Sequence, residues 1–140
     1  VLSLRLVLET NIVISAALKP DGLQRTVLLL ALTKPARLYF SQPILDEYAH
    51  VLSRPELRIR KGVRAQFMQI IENYGHAVTL RRGVDICTDP DDNIFLECAD
   101  AARADYLITG NQKHFPMHWK QTKVVTAREF VSLVVPHLLN

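Results

Sequence analysis

The chain has 140 residues, 49% of them hydrophobic, and a formal net charge of +3. That is enough for one domain, residues 1–140, with a substantial core, and too apolar for a disordered chain. No uninterrupted apolar run approaches the ~18 residues a membrane span needs, so no membrane partner is expected.

The opening V-L-S-L-R-L-V-L-E-T-N is apolar, but Arg5 and Glu9 interrupt it and no small-residue cleavage site follows. It suits a first strand better than a signal peptide. Leu4–Leu8 has the near-continuous apolar character of a strand buried on both faces. The apolar run Asn11–Leu18 stops at the turn signal Pro20-Asp21-Gly22. Leu23–Lys34 predicts a helix with Leu28, Leu29 and Leu32 inward, and Arg37–Ser41 a second short strand.

The next helix opens with Ser41 as N-cap and Pro43 in its first turn. At about 100° per residue, Ile44, Leu45, Tyr48, Val51 and Leu52 form one apolar stripe. Asp46 falls nearly opposite that stripe. Glu47 flanks it, in the first turn, so periodicity selects Glu47 over Asp46 as the acid facing a site. Gly62–Tyr74 predicts a further amphipathic helix with Phe67, Ile70 and Ile71 inward, followed by a short extended segment at Ala77–Leu80. Asp89-Pro90 announces a helix to about Arg103, with Asp89 as its N-cap. Strands follow at Asp105–Thr109 and Lys123–Thr126, and a closing helix at Ala127–Leu139. Strands alternating with helices imply an α/β fold, a parallel sheet with helices on both faces.

Acidic and amide residues recur where strands end and helices begin: Glu9, Asn11, Glu47, Asp92 and Asn111. In an open parallel sheet, ligands bind outside the carboxyl ends of the strands. Carboxylates gathered there repel one another, and the usual remedy is a hard divalent cation with oxygen ligands. This points to a metal-dependent enzyme acting on a phosphorylated substrate. Each residue also has a structural reading. Asp89, Asp91 and Asp92 suit a helix dipole, and either asparagine alone is a cap or turn. Glu97 and Asp100 suit a solvated face. Asp105 precedes its strand, so it lies at the far edge of the sheet. Glu9 is harder to dismiss, because an acid ending a buried strand is costly unless paired.

Rival chemistries lack their motifs. There is no Gly-rich phosphate loop and no G-x-S-x-G elbow. The five histidines show no zinc spacing; Pro116 breaks the His114/His118 pair, and core or surface histidines are the expectation. Cys87 and Cys98 also lack ligand spacing, which favours a reduced, cytoplasmic setting with Cys98 in the core. Arg54, Arg58, Arg60, Lys61 and Arg64 cluster with one acid, Glu56. That stretch is either a solvated loop or a contact for a phosphate backbone.

Five segments in order carry a family resemblance: L-E-T-N-I-V-I-S-A-A-L, S-Q-P-I-L-D-E-Y-A-H-V-L-S-R-P, D-P-D-D-N-I-F-L-E-C-A, A-D-Y-L-I-T-G-N-Q-K-H-F-P and V-V-T-A-R-E-F. Together they resemble a PIN domain, in the branch grouped with VapC-like toxins of toxin–antitoxin systems. The resemblance implies a three-layer α/β/α fold with a central, mainly parallel sheet. It also implies a ribonuclease dependent on Mg²⁺ or Mn²⁺, often a homodimer, held inactive by an antitoxin. The family's acidic ligands fall on Glu9, Glu47 and Asp92, and a fourth, more variable catalytic position on Asn111. Asn11 and Thr109 match supporting polar residues. The first position is usually Asp; Glu9 is one methylene longer. That reaches about 1.5 Å further, and misplacement near 1 Å can cost ~10²-fold in rate. Either the site has adjusted to Glu9, or the chain is a weak nuclease serving as an RNA- or antitoxin-binding regulatory module.

Overall fold

Two apolar five-residue runs, each interrupted by one exposed arginine, build the centre of the sheet: β1 (Leu4–Leu8) and β2 (Ala36–Phe40). The computed structural model describes residues 4–80, 83, 87 and 89–139. Of the sequence expectations, the opening V-L-S lies outside them. β1 pairs in parallel with β2, with Leu6 opposite Leu38, and on its other side with β4 (Tyr106–Ile108), with Leu8 opposite Ile108. β6 (Thr122–Val125) lies parallel beside β4, and β3 (His76–Ala77) parallel beside β2. With His118–Trp119 as β5, the sheet order is β3-β2-β1-β4-β6-β5. β5 is antiparallel to β6, joined by a tight turn with Lys120 at φ 54. Two residues carry no periodicity, so β5 left no signal in the sequence; the sheet is mainly parallel, as expected.

α1 (Thr10–Leu18) is apolar on most sides because it is buried on most sides, packing against α2 (Leu23–Ala31) and α3 (Gln42–Leu52). α2 is shorter than its apolar pattern suggested and turns Val27, Leu28 and Ala31 inward, leaving Leu29 55% exposed. α3 begins as expected, with Ser41 Oγ accepting from the Ile44 amide. α4 (Lys61–Tyr74) fully buries Ile71 alone, while Ile70 faces out. Asp89 accepts from the Asp91 amide, but the turn it caps is 3-10, Pro90–Asp92, and the α-helix proper is α5 (Asn93–Ala102). α6 (Ala127–Leu139) opens with a reciprocal cap: Thr126 Oγ1 accepts from the Glu129 amide, and Glu129 accepts from the Thr126 amide.

Right-handed crossovers place α1 and α2 on one face of the sheet. The return from β3 to β4 reverses direction, so α5 lies on the other face, over β1, β2 and β4. α6 packs beside α2. The core between these layers centres on Leu6, Leu8, Leu38, Leu107 and Phe95.

Candidate active site

The chain steps outward from β1 to β2 to β3, then returns to place β4 on the free side of β1. That reversal opens a crevice between the carboxyl ends of β1 and β4, where α/β sheets bind ligands. The residue after each strand stands at its rim. Glu9 follows β1 and donates its amide to Ile108 O at 2.9 Å; Thr109 follows β4 and donates its amide to Val125 O at 2.9 Å. Asp105 sits at the opposite edge, where its carboxylate accepts from the Arg5 amide at 2.8 Å, as its place before the strand implied.

Glu9 is 5% exposed, and each of its oxygens has a donor. Thr109 Oγ1 donates to Oε1 at 2.8 Å, and the Asn11 amide donates to Oε2 at 3.1 Å. The N-cap of α1 is therefore Glu9, not Asn11, whose backbone rather than side chain provides the support. The Asn111 amide donates in turn to Thr109 Oγ1 at 2.9 Å, tying Asn111 to the same spot. Glu47 is half-buried and accepts from the Thr10 hydroxyl. It stands in the second turn of α3, not the first, since the helix begins at Gln42. Its neighbour Asp46 is exposed and accepts from Gln42 Nε2. The neighbouring Tyr48 hydroxyl donates to Leu8 O, fixing α3 to the end of β1.

Asp92 ends the 3-10 turn before α5. Its Oδ2 is buried and has no hydrogen-bond partner among the described residues; His114 Nδ1 approaches it at 3.3 Å. Thr10 and His114 lie in segments that carry the family resemblance, but no periodicity or spacing marks either as a partner of the acids, which they reach only through tertiary folding.

Electrostatics tie the three carboxylates together. Burial raises the pKa of Glu9 above the usual carboxylate range; the Asn11 and Thr109 hydrogen bonds oppose this, and Asp92 and Glu47 add to it. Burial likewise raises Glu47, opposed by the Thr10 bond and reinforced by Asp92 and Asp91. Burial raises Asp92 as well, Asp89 adds to the rise, and His114 opposes it. Each pair among Glu9, Glu47 and Asp92 is close enough for mutual repulsion.

The chain matches the PIN domain family over residues 5–113. It belongs to that family. Members are generally nucleases that use divalent metal ions. This PIN domain is 26% identical to the uncharacterized protein MJ1680 of Methanocaldococcus jannaschii, over 93% of its own length and 91% of the relative's. Its fold is similar to that of a chain in the crystal structure of VapBC2 from Rickettsia felis bound to a DNA fragment from their promoter. The TM-score is 0.60 and the identity 17%, covering 88% of this chain and 98% of that one.

The three carboxylates of this PIN domain offer hard oxygen donors, the donor type of Mg²⁺ or Mn²⁺ sites, with the His114 imidazole against Asp92. Among the described residues, no group of three His, Cys, Asp or Glu side chains is already arranged to hold a metal.

Arg54 lies near enough to Glu47 to lower its pKa. Arg58, Arg60 and Lys61 are exposed around the 3-10 turn Pro55–Leu57 and the start of α4, and half-buried Arg64 donates to Ser53 O. Asp100 is not simply solvated; it pairs with Lys120 at 2.9 Å. Cys98 is fully buried. Among the described residues, no helix is long and apolar enough to cross a membrane.

Proposed function

We propose that this PIN domain is an endoribonuclease dependent on Mg²⁺ or Mn²⁺, acting in the cytoplasm as the toxin of a toxin–antitoxin pair. The observation that carries the reading is the three mutually repelling carboxylates at the topological switch point, Asp92 among them with a buried oxygen that the His114 ring approaches. Glu9, Glu47 and Asp92 would hold the cation, directly or through water. When bound, it supplies Lewis acidity, a lowered pKa for water and neutralising charge for the pentavalent transition state.

The chain's own groups do the positioning. Thr109 and the Asn11 amide fix both oxygens of Glu9. Thr10 orients Glu47, and His114 stands against Asp92. Asn111, tied to Thr109, would orient water or substrate. Arg54 stands beside Glu47, and with Arg58, Arg60, Lys61 and Arg64 would offset the acidic pocket's repulsion of RNA. Hydrolysis by water in line with the leaving group yields 5′-phosphate and 3′-hydroxyl ends. A route through a 2′,3′-cyclic phosphate would need a second general base beside His114. The fold shared with a chain of VapBC2 supports an antitoxin partner, and a homodimer fits the same reading.

One observation favours a second reading. Both Glu9 oxygens are already engaged, which suits a catalytically weak RNA- or antitoxin-binding regulatory module. Incubating the protein with a mixed RNA pool separates the two. The nuclease reading expects cleavage with Mn²⁺ or Mg²⁺, none with EDTA, and 5′-phosphate ends. Intact RNA under every divalent condition would leave the binding module.

A further inference from the structure

Beside the acidic centre lies a cleft of about 410 Å³, lined by residues 110–114 and Thr126. Two of its lining residues reach back to the carboxylates. The Asn111 amide bonds Thr109 Oγ1, which bonds Glu9. His114 Nδ1 lies 3.3 Å from Asp92 Oδ2. Through these two residues the cleft adjoins the acidic centre.

Its walls suit an anion. Lys113 is exposed and pairs with no carboxylate among the described residues. By contrast, Lys120 pairs with Asp100, and Arg25 with Ala16 O and the Phe67 ring. One acid, Glu129, stands at the rim, but its carboxylate is turned to Gln112 Nε2 at 2.8 Å and the Thr126 amide at 3.2 Å. Lys123 opposes its charge. Gln112 also donates to Val124 O at 3.2 Å, so the cleft's floor is anchored to β6.

We propose that this cleft seats a backbone phosphate flanking the one that is cut, with Lys113 as its cation. The assignment rests on the ribonuclease reading and adds a substrate subsite to it. It places the strand on the side of the acidic centre formed by the end of β4 and the start of α6. A point charge at Lys113 neutralises a phosphate without reading its base, so the subsite binds RNA irrespective of sequence there.

The test is binding of a short single-stranded RNA against salt, with Ca²⁺ replacing Mg²⁺, for the wild type, Lys113→Ala and Lys113→Arg. Alanine should weaken binding roughly tenfold, the worth of one charge-assisted hydrogen bond. It should also flatten the slope of log K against log salt by about 0.7, the single-strand value per phosphate contact. Arginine should restore both. Thermal melting should not change, since Lys113 is exposed. If Lys113→Ala matches a wild type that binds and cleaves RNA, the cleft is overturned and the nuclease reading stands. A wild type that neither binds RNA nor cleaves it with Mn²⁺ overturns both.

Discussion

Glu9 uses its extra methylene. Its two oxygens meet Thr109 and the Asn11 amide, one at the end of a neighbouring strand and one in its own helix. An aspartate retracts the carboxylate toward the backbone and gives up one of these bonds. Glu9→Asp should therefore lower stability by about 1 kcal/mol, the net worth of a hydrogen bond. It should also reduce any metal-dependent RNA cleavage, because the surrounding donors are placed for Glu. Denaturant melts and turnover check both; higher turnover with unchanged stability would show that the site is still built for Asp. Asp92 is the opposite case, a buried oxygen held among like charges. Asp92→Asn removes repulsion along with the proposed ligand. Cleavage should fall below about a hundredth of wild type, the scale of misplacing one reacting group. Melting temperature without metal should hold or rise. Retained activity would remove Asp92 from the catalytic set.

At the level of elements, the junction between α4 and β3 depends on a missing side chain. A Cβ at Gly75 would lie 2.6 Å from Ile71 O and 2.7 Å from Phe40 Cε2. The backbone there is ordinary, at φ −88 and ψ 179, so the constraint is space rather than conformation. Gly75→Ala should cost about 1–3 kcal/mol, as overpacking does. Gly62, in the first turn of the same helix, has nothing within 4 Å of such a Cβ. Gly62→Ala should hold stability or raise it by up to about 1 kcal/mol through helix propensity and a less flexible unfolded chain. Equilibrium unfolding of the two variants side by side checks the contrast; equal effects would contradict it. Opposite outcomes within one helix follow from neighbours that no local pattern specifies. The same limit governed Leu29 and Ile70, both apolar and both outward, since periodicity gives a stripe but not its width.

Over the whole molecule, the three raised carboxyl groups give a sign to its pH response. In the folded chain each holds its proton above the ordinary carboxylate range. Between the ordinary value and the raised one, the folded state binds more protons than the unfolded, so stability falls as pH rises. Their contribution is fully present below that window and lost above it. Without metal, melting temperature should decline as pH climbs through and beyond the usual carboxylate range. Mn²⁺ should raise it more at neutral pH than at acidic pH, because ionised carboxylates bind the cation. Melts across pH with EDTA or Mn²⁺ check this. A metal effect equal at both pH values would argue against the centre as the cation's site. Glu129 shifts the other way, held down by the Thr126 amide, but it is exposed and contributes little.

The sequence by itself determined the α/β class, the strands at β1, β2, β4 and β6, and the preference for Glu47 over Asp46. These follow from periodicity and from turn chemistry, which act between residues a few positions apart. It also marked Glu9, Asp92 and Asn111 as residues at element ends. Only the tertiary structure decided that Glu9's partners are Thr109 and the Asn11 amide, that Thr10 supports Glu47, and that His114 stands against Asp92. Glu9 and Thr109 are a hundred positions apart in the chain. What joins them is the parallel pairing of β1 with β4, a consequence of where the sheet reverses direction. The hydrophobic pattern shows that strands exist; the order in which they pair, set by crossover handedness and by packing of the whole core, decides which side chains meet.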